Sequence, residues 1–258
     1  MSIISWTVLG SSSGIPSVER ACSGHILALD DRLILFDCGS GVTSSLLRHG
    51  FDPGEIDSVI ISHTHADHIS DLPLFLQLLH QEKRTSDLTV YLPSEAITQI
   101  GGYLDAAYLF REKLTFPLQL RPITEIMTFL EGAVIVDSIM NDHLKSNEEI
   151  IKESGYPNRM EAYSFLIRCE EDIKIFYSAD VGTLEDIGNY VEGTDLLVME
   201  STHTSFPALL QFVEERHPDN VILSHTSDDV LKQLKLSINR MPTRAKIMVA
   251  EDGFAFRL

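Results

Sequence analysis

Between positions 60 and 68 the chain reads "IISHTHADH", three histidines and an aspartate within six residues directly after an aliphatic run. Imidazoles this close repel one another when protonated, pack badly as an apolar face and are not usual turn residues. As neutral donors beside a carboxylate they suit zinc, and carboxylate-rich variants also accept manganese or iron. His63 and His65 stand two apart and Asp67 and His68 are adjacent, so in a loop curling into a helix one pair faces one ion and the other pair a second ion beside it. Three more candidates each follow an apolar run that reads as a strand: His143 after "AVIVDSIMND", Asp180 after "KIFYS" and His225 after "NVILS". With Asp180 as a bridge, the donors divide into His63, His65, His143 and Asp180 on one ion and Asp67, His68, His225 and Asp180 on the other. Two cations so held lower the pKa of a shared water towards neutrality and clamp substrate oxygens, the equipment of a hydrolase that acts through a metal-bridged hydroxide.

Taken singly, the later candidates have plainer readings. His143 in "MNDHLKS" is a surface-loop histidine, His225 in "LSHTSDD" a neighbour of a helix cap, and Asp180 in "YSADVG" a turn residue. Their common place after strands, in the same chain as the histidine cluster, favours the ligand role. A structural zinc site is usually closed by four protein ligands, whereas this count leaves room for water, which favours an enzyme over a binding module. His25, His49, His80 and His217 are read as ordinary.

Strands are predicted near "SWTVLG", "GHILAL", "RLILFD", "SVIIS", "LTVYL", "AVIVDS", "YSFLIRC", "IKIFYS", "DLLVME", "NVILS" and "AKIMVA". Helical periodicity covers Val42 to His49, Ile69 to Gln81, Ser94 to Tyr103 and beyond, Pro207 to Arg216 and Asp228 to Asn239. Two groups of strands with helices among them point to sheets covered by helices. Side chains at strand ends sit on short loops held by a rigid sheet, where several converge on one point.

A chain of 258 residues with 44% apolar residues builds a substantial core, and with no linker-like or repeated segment it reads as a single domain over 1–258. The opening "MSIISWTVLG" carries no signal-peptide pattern and no apolar run approaches the roughly 18 residues of a membrane span, so a cytoplasmic protein without membrane contact is expected. Cys22, Cys38 and Cys169 are too few and scattered for a disulfide framework and read as reduced small hydrophobes. The net charge of −18 argues against a broad nucleic-acid surface, although it permits a local basic patch. Ser11, Ser12, Ser13 and Gly14 could line a phosphate pocket through backbone N–H groups, or form an ordinary turn after a first strand. Tyr103, Tyr108, Phe110 and Phe116 could stack a base; at their mixed spacing, core or dimer contacts are the commoner use.

"HTHADH" matches the H-x-H-x-D-H signature, and here the sequence resembles the metallo-β-lactamase superfamily over nearly its whole length. Within it, "LGSSSGIPSVER", "LFDCGSG", "DLPLF", "LTFPLQL", "YSAD" and "LSHTS" are similar to segments of the ribonuclease Z group of phosphodiesterases. The resemblance implies an α/β four-layer αββα sandwich, a homodimer, and Asp67 as general base as well as ligand. It also implies that in "ESTHTS" Glu200 orients His203, which protonates the departing alkoxide; an N-cap cluster for the helix near Pro207 is the alternative. Members that process tRNA carry an arm between the third metal histidine and the bridging aspartate. Here that interval is 37 positions, two predicted strands included, and the remainder, "KSNEEIIKESGYPNRMEA", carries four glutamates. Met199 and Ser40 stand where the group has histidine and glutamate. A small or cyclic nucleotide-like phosphodiester is therefore the expected substrate. A tRNA 3′-end endonuclease and a thioester or lactone hydrolase are the alternatives.

Overall fold

The computed structural model describes residues 2–238 and 243–258. Its strands are β1 (Ile4–Gly10), β2 (Gly24–Leu29), β3 (Arg32–Phe36), β4 (Ile56–Ile60), β5 (Leu88–Leu92), β6 (Leu118–Pro122), β7 (Ile126–Phe129), β8 (Val134–Met140), β9 (Tyr163–Cys169), β10 (Lys174–Tyr177), β11 (Leu196–Glu200), β12 (Asn220–Ser224), β13 (Lys246–Val249) and β14 (Phe254–Arg257). Its α-helices are α1 (Val42–Arg48), α2 (Ala66–Ile69), α3 (Leu72–Gln81), α4 (Ile97–Ala106), α5 (Glu148–Ser154), α6 (Gly188–Val191), α7 (Phe206–Arg216) and α8 (Asp228–Ile238). The chain divides into two compact units, the first running to Ile123 and taking in Glu251–Leu258, the second spanning Thr124–Ala250.

The first unit carries a seven-stranded sheet in the order β14-β1-β2-β3-β4-β5-β6. Strands β14, β1, β2 and β3 pair antiparallel, and β3, β4, β5 and β6 run parallel. Because β3 and β4 are parallel neighbours, the residues that follow them emerge at one edge of the sheet, where ligand-binding loops of parallel sheets cluster. Helix α3 covers this sheet: Leu72, Phe75, Leu76 and Leu79, at helical spacing, share an apolar cluster with Leu33, Leu35, Val59 and Val90. Each such burial is worth about 1.5–3 kcal/mol. The helix predicted as one piece from Ile69 is broken at Ser70 and Asp71. Asp71 turns its N–H to Cys38 O (3.0 Å) and its carboxylate to the N–H of Thr43 (2.7 Å), so it caps α1 instead of continuing α2 into α3.

The second unit carries the sheet β13-β12-β11-β10-β9-β8-β7. Strands β10 to β13 are parallel, while β8, β9 and β10 alternate. Strand β8 therefore runs in the same sense as β10, β11 and β12, and the segments after all four emerge at one edge. Leu209, Phe212 and Val213 of α7 and Leu234 of α8 pack with Leu197, Met199, Val221 and Leu223 of this sheet. Met199 is wholly buried in that cluster, which explains an apolar residue where the resembling group has histidine. The last residue of the predicted helix over Asp228 to Asn239 lies outside the described residues. Between His143 and β9 the chain forms only a 3-10 turn at Lys145–Asn147 and the seven-residue α5, closed by Gly155 at φ 68°. This segment has no protruding arm.

Strands β6, β7 and β14 escaped the sequence reading. All three are sheet edges and only partly buried, so their apolar runs are short and interrupted; β7 alternates exposed and buried along Ile126–Phe129. No helix among the described residues is long and apolar enough to cross a membrane. The three cysteines are free and buried. Burial pushes the Cys38 thiol well up and that of Cys169 to about 12, and burial with Asp67 nearby raises Cys22, so all three behave as the expected inert hydrophobes.

The loop after β1 is fastened from far along the chain. Asp252 accepts from Ser11 N (3.0 Å), Ser11 Oγ (2.9 Å) and Ala21 N (2.7 Å). Asp252→Ala is expected to cost about 2–4 kcal/mol, since three donors lose a charged acceptor; Asp252→Asn should cost less. Urea denaturation measures this, and an unchanged midpoint would remove Asp252 from the role.

Candidate metal-binding clusters

In the first unit His63 and His65 follow β4, and Asp67 and His68 lie in the first turn of α2. The ring centroids of His63 and His68 are 4.1 Å apart and those of His63 and His65 4.7 Å. His68 Nε2 is 3.7 Å from Asp67 Oδ2. Asp37, at the end of β3 with φ 57°, fixes this arrangement. Its Oδ2 lies 2.9 Å from His68 Nδ1, while Ser62 donates to both its oxygens, from N at 2.7 Å and Oγ at 3.0 Å. Ser62 Oγ also sits 3.1 Å from His63 Nδ1. Both Nδ1 atoms are thus engaged, and Asp37 and Ser62 set the orientation of the two rings. Gly39 lets this turn close: a Cβ there would meet Asp67 O at 1.9 Å.

In the second unit four strand ends deliver His143, Asp180, Glu200 and His225 to one edge. Asp180 is the hub. Its Oδ2 is 3.6 Å from His143 Nε2 and 3.9 Å from His203 Nδ1, while its Oδ1 is 3.4 Å from His225 Nδ1. The two oxygens thus face different histidines, as a carboxylate shared by two cations requires. Ala179 (φ 46°) and His225 (φ 53°) take left-handed backbone conformations at these strand ends, a local strain found where function fixes a side chain. Asn141 couples two of the candidates: Nδ2 donates to the carbonyl of Asp180 (3.0 Å) and to Ser164 Oγ (3.0 Å), and Oδ1 accepts from His143 N (3.0 Å).

Glu200 Oε2 accepts from the backbone N–H groups of Thr202 (2.6 Å) and His203 (2.9 Å), and Oε1 lies 3.4 Å from His203 Nδ1. The carboxylate therefore orders the turn that carries His203 and faces its ring, whereas α7 shows no side-chain cap at Ser205. His203 remains 38% exposed while Asp180 and Glu200 are buried.

The donor set fits divalent cations. Zn–N and Zn–O distances of about 2.0–2.1 Å place neighbouring ligands of a tetrahedral ion roughly 3.3 Å apart. The 3.4–3.7 Å separations of Asp180 from His225 and His143, and of Asp67 from His68, lie close to that edge.

Other candidates divide. The N–H groups of Ser11 and Ser12 are taken by Asp252 and by Ala21 O, so these two do not offer backbone donors to a phosphate. Phe116 is buried in the first unit's core and is no stacking platform. Tyr103, Tyr108 and Phe110 are exposed. Among the ordinary histidines, His25 accepts from Trp6 Nε1 (3.2 Å) and His217 closes α7 in a left-handed conformation. Asp37, Ser62 and Asn141 went unnoticed in the sequence. Asp37 ends the predicted strand "RLILFD", the same signal that selected Asp180.

The two sheets and their strand-end donors define the metallo-β-lactamase superfamily of metal-dependent hydrolases, and solved structures agree on the fold. A metallo-β-lactamase fold protein, YhfI from Bacillus subtilis, matches with a TM-score of 0.75 at 20% identity, covering 100% of both chains. A diphosphatase from the PhnP family matches with a TM-score of 0.70 at 16% identity over 98% of this chain and 97% of that one. In sequence, the ribonuclease Z of Thermoplasma acidophilum is 23% identical over 96% of this chain and 82% of its own length. Two ribonuclease Z sequences of Prochlorococcus marinus are spanned over only 53% and 51% of their length. The chain belongs to the family described as Anti-Pycsar protein Apyc1, whose model matches residues 4–241.

Asp37→Ala is expected to weaken zinc binding about 10–100-fold, the usual effect of losing a carboxylate behind a ligating histidine, with Asp37→Asn intermediate. Competition against a chromophoric chelator measures it; unchanged affinity would contradict the assignment.

Proposed function

We propose that the chain is a dinuclear phosphodiesterase for small or cyclic nucleotide-like substrates. In this reading His63, His65, His143 and Asp180 hold one divalent cation, and Asp67, His68, His225 and Asp180 hold the other. Zinc is the metal of choice for imidazole with carboxylate, and manganese or iron would also be accommodated. The observation that carries the proposal is Asp180, whose two oxygens are turned towards His143 and His225 respectively. Bound cations would acidify a shared water and neutralise charge on the substrate phosphate.

The chain's own groups supply the remaining chemistry. Asp67 accepts a proton from the attacking water. As that oxygen bonds to phosphorus and the opposite P–O bond breaks, His203 gives its proton to the departing alkoxide. Glu200 orients the ring by facing Nδ1, and the exposure of His203 suits a group that must meet a leaving oxygen. A small substrate is supported by the short segment between His143 and β9, where the basic residues Lys145, Lys152 and Arg159 are each ion-paired with a carboxylate, Asp142, Glu148 and Glu161 respectively, and so form a poor basic grip for RNA. We further propose that the chain acts as one catalytic domain, in the cytoplasm, as a homodimer.

The names of the curated relatives favour one competing reading, a ribonuclease Z-type tRNA 3′-end endonuclease. Purified protein offered bis(p-nitrophenyl) phosphate, a 3′,5′-cyclic mononucleotide and a precursor tRNA separates the two. Turnover of the small diesters with precursor tRNA left intact is the expected result. Specific tRNA cleavage that outpaces both would overturn the substrate class, as would faster hydrolysis of a thioester.

A further inference from the structure

One grouping in the second unit shares only His225 with the ligands of the dinuclear reading. Glu200, His203 and His225 each present a donor atom, and the three atoms lie within 4.8 Å of one another. Glu200 Oε1 and His203 Nδ1 are 3.4 Å apart, close to the roughly 3.3 Å edge of a tetrahedral zinc site. Two imidazoles and a glutamate are also a donor set that catalytic zinc sites use.

The three donors are ordered before any ion arrives. Glu200 Oε2 is held by the N–H groups of Thr202 and His203, which fixes the direction of Oε1. Thr202 Oγ1 donates to the carbonyl of His225, so the same turn ties His225 to the other two. The His203 and His225 rings lie near parallel, at 23°, with centroids 5.9 Å apart. His203, the most exposed of the three, gives an ion entry from solvent.

We infer that Glu200, His203 and His225 form a third, inhibitory site that takes a borderline cation such as Zn2+. The inference rests on the dinuclear reading above. A cation held between Glu200 Oε1 and His203 Nδ1 occupies the two side chains that this reading places at the departing oxygen. The same ion competes for His225 against its place beside Asp180. Zinc is then cofactor at low concentration and inhibitor at higher concentration. Mg2+, which demands octahedral oxygen coordination, does not take this site.

Equilibrium dialysis against buffered free Zn2+, with zinc per chain counted by mass spectrometry and turnover of bis(p-nitrophenyl) phosphate read on the same samples, tests the inference. The wild-type chain is expected to hold two ions at low free zinc and a third at higher free zinc, with turnover falling at least tenfold as the third enters. His203→Ala should stop at two ions throughout, and retention of those two shows the variant to be folded. Glu200→Gln, which keeps the side-chain volume and an acceptor for the turn, should stop at two as well. Two ions in every protein at all zinc concentrations overturns the inference, and so does a third ion that persists in both variants. A wild-type plateau below two removes the dinuclear reading and this inference with it, a failure the stoichiometry distinguishes from the others.

Discussion

Crowded ionisable side chains are the constraint on which each half of this protein depends. His63 and His68 are fully buried with ring centroids 4.1 Å apart, and Asp180 has three imidazoles within 3.9 Å. Two positive charges about 4 Å apart at an effective dielectric near 20 repel by about 4 kcal/mol. Two protonated rings so placed would repel, whereas neutral rings are what a cation requires. A divalent ion turns the same crowding from a cost into coordination.

The backbone is arranged to sustain that crowding. Parallel strands send Asp37 and Ser62 of the first unit to one sheet edge, where the carboxylate fixes His68 and the hydroxyl lies beside His63. In the second unit Asn141 ties the loop of His143 to that of Asp180, and Ser164 and Ser178 extend the hydrogen bonding across β9 and β11, through Ser164 Oγ to Ser178 O and Glu200 N to Ser178 Oγ. Such partners set ring orientation and tautomer, so a metal site extends beyond its ligands.

Most of this was legible in the chain because strand-end chemistry leaves a local trace. "HTHADH" announced itself, and His143, Asp180 and His225 each followed a recognisable apolar run. Asp37 ends such a run too, but the partners that define its role, Ser62 and His68, are 25 and 31 positions away. Asn141 was illegible for a different reason: its partners Ser164 and Asp180 are 23 and 39 positions away, and no local pattern encodes such pairs. The break between α2 and α3 was likewise hidden, because Asp71 answers to Thr43 and Cys38, not to its neighbours. Edge strands β6, β7 and β14 were lost because half-buried segments carry a weak apolar signal. For the serines after β1 a phosphate pocket and an ordinary turn were both open, and Asp252, some 240 residues away, holds the N–H of Ser11.

The central claim is that Asp180 joins two cations. Anomalous diffraction at the zinc edge, from crystals grown with two equivalents of Zn2+ per chain, tests it most directly. The account predicts two peaks, one bonded to each oxygen of Asp180, with His143 on one ion and His225 on the other. A single peak, or peaks that leave Asp180 unligated, would contradict it.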